Sequence, residues 1–581
     1  MRLTRALALV PCIALALSGL GRAGAAPADC AGTRAPRWLP SIGAADDAGD
    51  VRVFAVQFKQ DLRHVESYDT FRRKMECLVE EFVLPYLDLD GDGSKDKPAI
   101  VVFNEDDGLA TIGTGSRGAT ARAIAQSPAR DPQSITGAQA AFGTLGATYS
   151  PAIAYYAARE HETSAQRLIL AAATDTFVRG FMQTYSDIAR RYGIYVVSAN
   201  NQAEFREVNL AEHPEAAALV DPDLKDEYLN GHLTTVYEAV DVDAIPETVG
   251  LGRAGIDVHN KAFMWAPDSG VTDYARDKYS VVNGGTLSAA DPRSNLIHVV
   301  KKTPLTQIEI DILDLSDDED LSSANTGPFC LTTTDDPDCS AKIGYGISLP
   351  TFMWGDTECS EGTPGCVAGK RALTFGEEPA DGADPCAGPV WWMRCLDARG
   401  VNVLLQPEAN PGPWGEFTTG RESRGFGDWQ PLSWLDSAWR SVADPTVGFR
   451  YAVTPHMVGN LVDLTFDGQS VIFERCSAAT GDANTCDGNQ PAAFVGTDEF
   501  VPCVNADDPT CDAPLWGPYA GPKPEVMVLA PWVLEDDPSL DARANRARLS
   551  ERARAMLANS GSVFENDYLE TTVWADLDLD L

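Results

Sequence analysis

Residues 51–58, VRVFAVQF, and residues 99–105, AIVVFNE, are the two stretches that decide the fold. Both are compact runs rich in β-branched and aromatic residues, which predicts buried strands. Between them, residues 68–87, YDTFRRKMECLVEEFVLPYL, carry apolar side chains near helical spacing, which predicts a helix that packs on these strands. Those apolar side chains are Phe71, Met75, Leu78, Phe82 and Leu84.

Two later segments each show a predicted helix, then a glycine that ends it, then a predicted strand. It is found in residues 176–202, TFVRGFMQTYSDIARRYGIYVVSANNQ, and in residues 391–414, WWMRCLDARGVNVLLQPEANPGPW. The sequence contains no internal repeat. It also contains no linker that clearly separates two hydrophobic cores. The pattern therefore predicts one elaborated α/β domain over residues 51–581, with Cys-rich insertions near 353–390 and 476–511.

The composition limits the classes of partner. The 581 residues include 46 Lys+Arg and 85 Asp+Glu, which gives a formal net charge of −39. Binding to phosphate backbones or to anionic membrane surfaces needs basic patches, so nucleic acid and membranes are not expected as partners. A small-molecule substrate or ligand is the expected partner.

The first residues predict export. Arg2 and Arg5 precede an apolar stretch at 6–20, which is followed by small residues at 23–25. This arrangement is typical of a secretory signal peptide, here residues 1–25, and residues 26–50 are then expected to form a flexible leader. The apolar stretch is short for a transmembrane helix, and no later run reaches that length. A secreted or periplasmic protein is expected. A lipoprotein signal at Cys30 is less favoured, because residues 27–29, PAD, lack the usual apolar residue three positions before it.

The cysteines are spaced in close neighbours. The chain has 13 cysteines, one of which lies in the predicted signal, and an even set in an exported protein favours disulfides. Adjacent pairing is one hypothesis, since sequence alone does not fix connectivity, and it leaves Cys30 and Cys77 over. The proposed pairs are Cys330–Cys339, Cys359–Cys366, Cys386–Cys395, Cys476–Cys486 and Cys503–Cys511.

Eight segments of the chain form a pattern that occurs in a known family order. The segments are VRVFAVQF (51–58), VVFNE (101–105), ARRYGIYVVSANN (189–201), VKKTPL (300–305), KIGYGIS (342–348), RCLDARGVNVLLQPEANPGPW (394–414), VGNLVDLTFDGQSVIF (458–473) and VWADLDLDL (573–581). Together they resemble the carbon-nitrogen hydrolase, or nitrilase, superfamily. The resemblance implies an αββα sandwich with disulfide-rich insertions, a Glu-Lys-Cys catalytic set and no required cofactor. Asn104 stands where the family usually has Pro, and Pro304 where it commonly has His.

The resemblance assigns the charged residues of the site. It implies Glu105 as the general base and Lys302 as the residue that stabilises the oxyanion, with Lys301 as the alternative one position away. It also implies Glu309 as the glutamate that orients the lysine. The other interpretation is that Glu105 and Glu309 are surface acids and that the two lysines are a solvated pair.

At the nucleophile position the chain departs from the family, because Ser348 stands where the family has Cys. A hydroxyl is much less acidic than a thiol, and one carboxylate is a weak base for it. Cys359, Cys386 or Cys395 could be a relocated nucleophile, although a disulfide is the simpler interpretation for each. The sequence therefore predicts a hydrolase of a small non-peptide amide or other carbon-nitrogen bond. The alternative is a catalytically inactive binding or scaffold protein, a pseudoenzyme, on the same fold.

The segment DLDGDGSKD (88–96) predicts either a structural Ca²⁺ loop or an ordinary turn. Asp88, Asp90, Asp92 and Asp96 could direct several oxygens at one cation. Ala99 occupies the twelfth position, so the loop is not an EF-hand. The resemblance also implies pairing through the sheets, so a homodimer is a further expectation.

Overall fold

The computed structural model describes most of the predicted core. The described residues are 30–35, 37–60, 62–125, 136–159, 164–240, 256–268, 290–302, 305–306, 309–316, 321–331, 342–346, 353–354, 356–358, 370–372, 384–386, 392–409, 438, 440–461, 464–467, 469–475, 525–530 and 569–579.

Among the described residues, the first sheet has eight strands. They are β1 (Ile42–Ala44), β2 (Val51–Gln57), β3 (Ala99–Val102), β4 (Tyr195–Asn209), β5 (Thr235–Val240), β6 (Val258–Trp265), β7 (Leu296–Lys301) and β18 (Thr571–Leu577). Their order is β1-β18-β2-β3-β4-β6-β7, with β5 paired to β4. β2, β3 and β4 are parallel, whereas β6 and β7 add in antiparallel fashion.

Six strands of the second sheet lie in the described part of the chain. They are β8 (Phe329–Cys330), β9 (Lys342–Tyr345), β12 (Val403–Leu405), β13 (Tyr451–Thr454), β16 (Val471–Glu474) and β17 (Glu525–Leu529). Their order is β17-β16-β13-β12-β9-β8, and the central strands β9, β12 and β13 are parallel. Two separate hairpins pair β10 (Asp356–Glu358) with β11 (Lys370–Ala372) and β14 (Val458–Leu461) with β15 (Leu464–Asp467).

The helices are mostly inserted between the strands of the first sheet. They are α1 (Tyr68–Phe82), α2 (Gly115–Ala125), α3 (Thr136–Thr148), α4 (Ser150–Ala157), α5 (Ala165–Ala172), α6 (Thr174–Phe177), α7 (Gln183–Tyr192), α8 (Lys225–Leu229), α9 (Ser323–Thr326), α10 (Trp392–Ala398) and α11 (Arg440–Ala443). A π-helical turn, Val178–Met182, joins α6 to α7, and another spans Glu309–Leu313.

The predicted helix after the first strand is confirmed as α1. Ser67 caps its first turn: the Ser67 hydroxyl accepts from the backbone N–H of Thr70 at 3.1 Å, and the Thr70 hydroxyl accepts from the backbone N–H of Ser67 at 2.9 Å. The α-helix ends at Phe82, and a 3₁₀ turn over Leu84–Tyr86, with Pro85 inside it, follows.

The two faces of β2 show how the layers form. Val53 and Ala55 belong to a core shared with the second sheet, whereas Phe54 and Val56 pack on the other side with residues of α1 and α7. Side chains of a strand alternate between its faces, so one strand contributes to both layers. The first sheet therefore lies between a helical layer and the second sheet.

The two faces of strand β9 likewise pack against different layers, the first sheet on one side and a helix on the other. The Tyr345 ring faces the first sheet, 5.5 Å from the ring of His298 on β7. On the opposite face, a Cβ added at Gly346 would lie 3.1 Å from Met393 Cε of α10, so the small residue lets that helix pack closely. The predicted αββα sandwich is confirmed.

Part of the segment predicted as a flexible leader is ordered. β1 adds to the first sheet parallel to β18, and a disulfide joins Cys30 to Cys77 of α1. The prediction of a wholly flexible leader over 26–50 is therefore wrong. Its short strand, IGA, carries too little hydrophobic signal to be recognised.

The disulfide hypothesis is confirmed for Cys386–Cys395. Cys330 is also disulfide-bonded. Cys339, the three other proposed pairs, the predicted signal peptide and Ser348 lie outside the described residues. Within the described ranges, no helix combines the length and the apolar character needed to cross a bilayer.

Candidate active site

Glu105 follows the carboxyl end of β3 and is buried, with 3% of its surface exposed. Its Oε1 accepts hydrogen bonds from Lys302 Nζ at 2.6 Å and from Asn260 Nδ2 at 2.7 Å. Its Oε2 accepts from the backbone N–H of Ala409 at 3.3 Å. Ala409 follows β12 of the second sheet, so Glu105 lies where the two sheets meet.

Lys302 comes directly after β7, and its backbone N–H donates to the carbonyl of Asn260 at 2.8 Å. This bond continues the pairing of β7 with β6 and fixes the direction of the side chain. Lys302 Nζ lies 3.0 Å from Glu309 Oε2 as well as 2.6 Å from Glu105. The ammonium is thus held between two carboxylates.

Glu309 begins a π-helical turn and is also buried. The backbone N–H of Thr306 donates to its Oε2 at 2.8 Å. Asn260 Nδ2 donates to its Oε1 at 2.7 Å and so bridges both glutamates. The surface-acid interpretation does not describe Glu105 or Glu309.

Asn260 was missed by the sequence reasoning. It lies on β6 in the same alternation as Ala262 and Met264, which face the second sheet. A fully buried asparagine on an otherwise apolar strand face is the signal that could have found it, because a buried amide needs hydrogen-bond partners.

Burial and charge give the two glutamates different protonation behaviour. Burial raises the pKa of Glu105, Lys302 opposes the rise, and Glu309 adds to it. The pKa of Glu309 is lowered, because Lys302 and its hydrogen bonds outweigh burial. Burial lowers the pKa of Lys302, but Glu105 and Glu309 raise it by more, so the lysine stays charged. Two carboxylates with diverging pKa values are typical of acid-base sites.

The two residues after Glu105 have separate anchors. Asp106 has a positive φ of 62°, and its Oδ1 accepts from Asn201 Nδ2 of β4 at 2.7 Å. Asp107 accepts from Ser198 Oγ at 2.5 Å and from the Tyr185 hydroxyl. Burial raises the pKa of Asp107 to about 7, against these hydrogen bonds.

Two of the three candidate cysteine nucleophiles are disulfide-bonded. Cys386 and Cys395 form one bond, and Cys395 is completely buried. Cys359 lies outside the described residues, as does Ser348. Gly346, the last described residue before Ser348, donates its N–H to the carbonyl of Leu405 at 3.0 Å. Strand β9 thus ends beside β12, the strand that precedes Ala409.

The predicted calcium loop brings part of its carboxylates together. Oxygens of Asp88, Asp90 and Asp96 lie within 4.8 Å of one another. Asp92 instead accepts from the Ser94 hydroxyl at 2.6 Å, and Asp96 pairs with Arg52 at 3.0 Å. The donors are of the type that Ca²⁺ prefers, but only three of the four predicted residues converge. Calcium binding stays a prediction.

The fold and the buried centre together define a two-sheet α/β sandwich with a lysine held between glutamates. No family model and no curated protein matches the chain. Among solved structures it is similar to an amidase from Nesterenkonia sp., with 11% identity, a TM-score of 0.26 and coverage of 74% of this chain and 84% of that chain. A mutant of the Nesterenkonia AN1 amidase, described as from the nitrilase superfamily, matches with 12% identity, a TM-score of 0.27 and the same coverage.

A carbon-nitrogen hydrolase from Helicobacter pylori G27 matches with 10% identity, a TM-score of 0.30 and coverage of 73% of this chain and 81% of that chain. These proteins belong to the superfamily that the sequence resembles. At such identity and TM-score the likeness carries no argument about activity, which has to come from the residues of the site.

Proposed function

We propose that the chain is an exported carbon-nitrogen hydrolase of the nitrilase superfamily, acting on a small non-peptide amide or related bond. The observation that carries the proposal is the buried centre in which Lys302 contacts both Glu105 and Glu309. Burying three ionised groups is costly, and breaking such a cluster is more costly still. A cluster of this kind at the meeting edge of two sheets is better explained by chemistry than by stability alone.

Each residue has a distinct role in the proposed reaction. Glu105 accepts the proton of the nucleophile, and its raised pKa makes it a stronger base than an ordinary carboxylate. Lys302 donates to the oxygen that becomes negative as the carbon is attacked. Glu309 and Asn260 hold Lys302 and Glu105 in position. Ser348 is the proposed nucleophile, and no cofactor takes part.

The second candidate is a binding protein on the same fold, without catalysis. Two observations favour it. Ser348 replaces the family's thiol, and the Cys386–Cys395 disulfide removes two thiols that could have replaced it. In that case the centre would bind a small amide, amine or carboxylate without cleaving it.

Ammonia release from a panel of small amides and nitriles tests the proposal on the mature protein. We expect turnover by the parent and its loss in Glu105→Gln and in Ser348→Ala, with the exposed Glu212→Gln as a matched control. No turnover by the parent, together with turnover by Ser348→Cys, would favour the binding protein. A free-thiol count with peptide mapping completes the test, since a single reactive thiol at Cys359 would identify a relocated nucleophile.

We also propose that the protein is exported, which the anatomy of residues 1–25 supports. The amino-terminal sequence of the mature protein should then begin near Ala26. Calcium binding by the Asp88–Asp96 loop and homodimer formation are further proposals. Melting temperature with and without a chelator tests the first, and sedimentation equilibrium tests the second.

A further inference from the structure

The charges of the candidate site do not balance within the described residues. Glu105, Asp106 and Glu309 are three carboxylates around one ammonium, that of Lys302. Lys302 is already in contact with Glu105 and Glu309. Asp106 forms no ion pair with any Lys or Arg in the described part of the chain, and its carboxylate accepts a hydrogen bond from Asn201.

Two neighbouring asparagines hold Asp106 and the two glutamates of the candidate site. Asn201 and Asn260 are directly opposite each other in the β4–β6 ladder. Side chains in such positions lie on the same face of the sheet, a few ångströms apart. Asn201 holds Asp106, and Asn260 holds Glu105 and Glu309. The third carboxylate is therefore aligned with the reacting groups.

Asn201 anchors Asp106 without neutralising it. Asn201 is completely buried, and its Oδ1 has no hydrogen-bond partner among the described residues. Asn tolerates the positive φ of position 106 at least as well as Asp does. The backbone thus does not require an acid there, and the carboxylate itself needs an explanation.

We propose that Asp106 recognises the positively charged end of the substrate, and that the substrate class is a small amide bearing an ammonium or guanidinium group. The inference rests on the proposed function for the amide part of the substrate. Asp106 is partly exposed, whereas Glu105, Lys302 and Glu309 are at most 6% exposed, so it is the member that an arriving cation can reach.

The physical basis is an ion pair between the Asp106 carboxylate and the cationic group of the substrate, formed in a poorly hydrated part of the site. Burial and the neighbouring Glu105 and Glu309 raise the pKa of Asp106 well above its ordinary value. A bound cation offsets this repulsion, whereas a neutral substrate leaves it in place. Hydrogen bonds to a charged partner change affinity by about tenfold to a hundredfold.

The test compares two amides that differ only in charge, 5-aminopentanamide and pentanamide, on the mature full-length protein. We expect the parent to prefer the amino-amide in kcat/KM. Asp106→Asn should lower that preference, measured as the ratio of the two kcat/KM values, by about tenfold or more. Taking the ratio cancels any effect of the variant on the shared amide chemistry. The exposed Asp226→Asn is the matched control and should leave the ratio unchanged. A parent that prefers pentanamide, or an unchanged ratio in Asp106→Asn, would overturn the inference.

A binding measurement separates this inference from the proposed function. Calorimetric titration with 1,5-diaminopentane needs no turnover. If neither amide is hydrolysed but the diamine binds to the parent about tenfold or more tightly than to Asp106→Asn, cation recognition holds and the hydrolase proposal fails. If the parent hydrolyses amides but the diamine binds equally to both proteins or to neither, the hydrolase proposal holds and this inference fails.

Discussion

Two buried lysine–glutamate pairs of nearly equal length differ in their surroundings. Lys74 of α1 contacts Glu570 at 2.5 Å, and Lys302 contacts Glu105 at 2.6 Å. Both pairs are removed from solvent. We propose that the first pair is structural and that the second belongs to the reactive centre.

The Lys74–Glu570 pair is satisfied by the backbone. Lys74 also donates to the carbonyl of Thr33, and Glu570 accepts from the backbone N–H groups of Ala35 and Lys59. One acid meets one base, and together they join the amino-terminal segment, α1 and the entry to β18.

The Lys302 pair has an excess of carboxylates instead. Glu309 and Asp106 add negative charge around one ammonium, and the pKa of Glu105 is raised. An ion pair with one carboxylate per ammonium can hold secondary-structure elements together. An excess of carboxylates around one ammonium raises the pKa of a carboxyl group, which suits that group to proton transfer.

The largest effect is expected from Glu105→Gln, which tests whether the Lys302–Glu105 pair acts in catalysis. The substitution keeps the shape of the side chain and removes its charge. Loss of a general base lowers kcat by about 10²–10⁴-fold. Lys302 keeps Glu309 as its counter-charge in this variant, and one carboxylate of a crowded centre is removed, so the free energy of unfolding should fall little or rise. Steady-state kinetics and urea unfolding check both parts. A variant that loses stability and keeps its activity would assign this pair a structural role.

The complementary variant is Lys74→Met. It leaves the buried Glu570 carboxylate without its counter-charge, so the free energy of unfolding should fall by about 3–5 kcal/mol. The kcat of the molecules that remain folded should match the parent, since Lys74 is not part of the proposed machinery. Equal stability of variant and parent would show that the pair is not structural.

The third prediction concerns Asp107 and the pH dependence of the free energy of unfolding. Its pKa is about 7 in the fold against an ordinary 3.8. A carboxyl that binds its proton more tightly when folded stabilises at low pH, and this stabilisation is lost as pH rises from about 4 through about 7. We expect the parent to lose a few kcal/mol over that range, at about 1.4 kcal/mol per pKa unit, and Asp107→Asn to lose less. Parallel pH profiles of unfolding in urea for the two proteins would contradict this.

The smallest expected effect is in the double variant Lys74→Met with Glu570→Gln. Gln keeps an acceptor for the backbone N–H groups, and no unpaired charge remains. The double variant should therefore be about 1–3 kcal/mol more stable than Lys74→Met alone. If the double variant has the same free energy of unfolding as Lys74→Met, the loss of stability comes from packing around the aliphatic part of Lys74 and not from the unpaired charge.

Much of the fold could be predicted because hydrophobic alternation is local. β3 is a continuous apolar run, β2 is apolar apart from Arg52 and Gln57, and α1 shows helical spacing. β1 could not be found in this way, because it is three residues long and largely exposed. The Cys30–Cys77 bond joins residues 47 positions apart, a distance that no spacing rule specifies.

The site was accessible to sequence reasoning only in part. Glu105 follows a strand that the sequence shows clearly, and the resemblance to the nitrilase superfamily pointed to both Glu105 and Lys302. Asn260 and Asn201 were missed, because their role depends on the register between β4 and β6. That register is a long-range property, and the positive φ of Asp106 is likewise visible only in the fold.

The position of β18 has a consequence for how the chain is made. This strand, residues 571–577, pairs with both β1 and β2, although most of the described chain lies between them. Contacts of such long sequence separation form slowly. Until residues 571–577 have been synthesised, the edge of β2 that β18 covers is unpaired, and chaperones can bind that edge of the nascent chain.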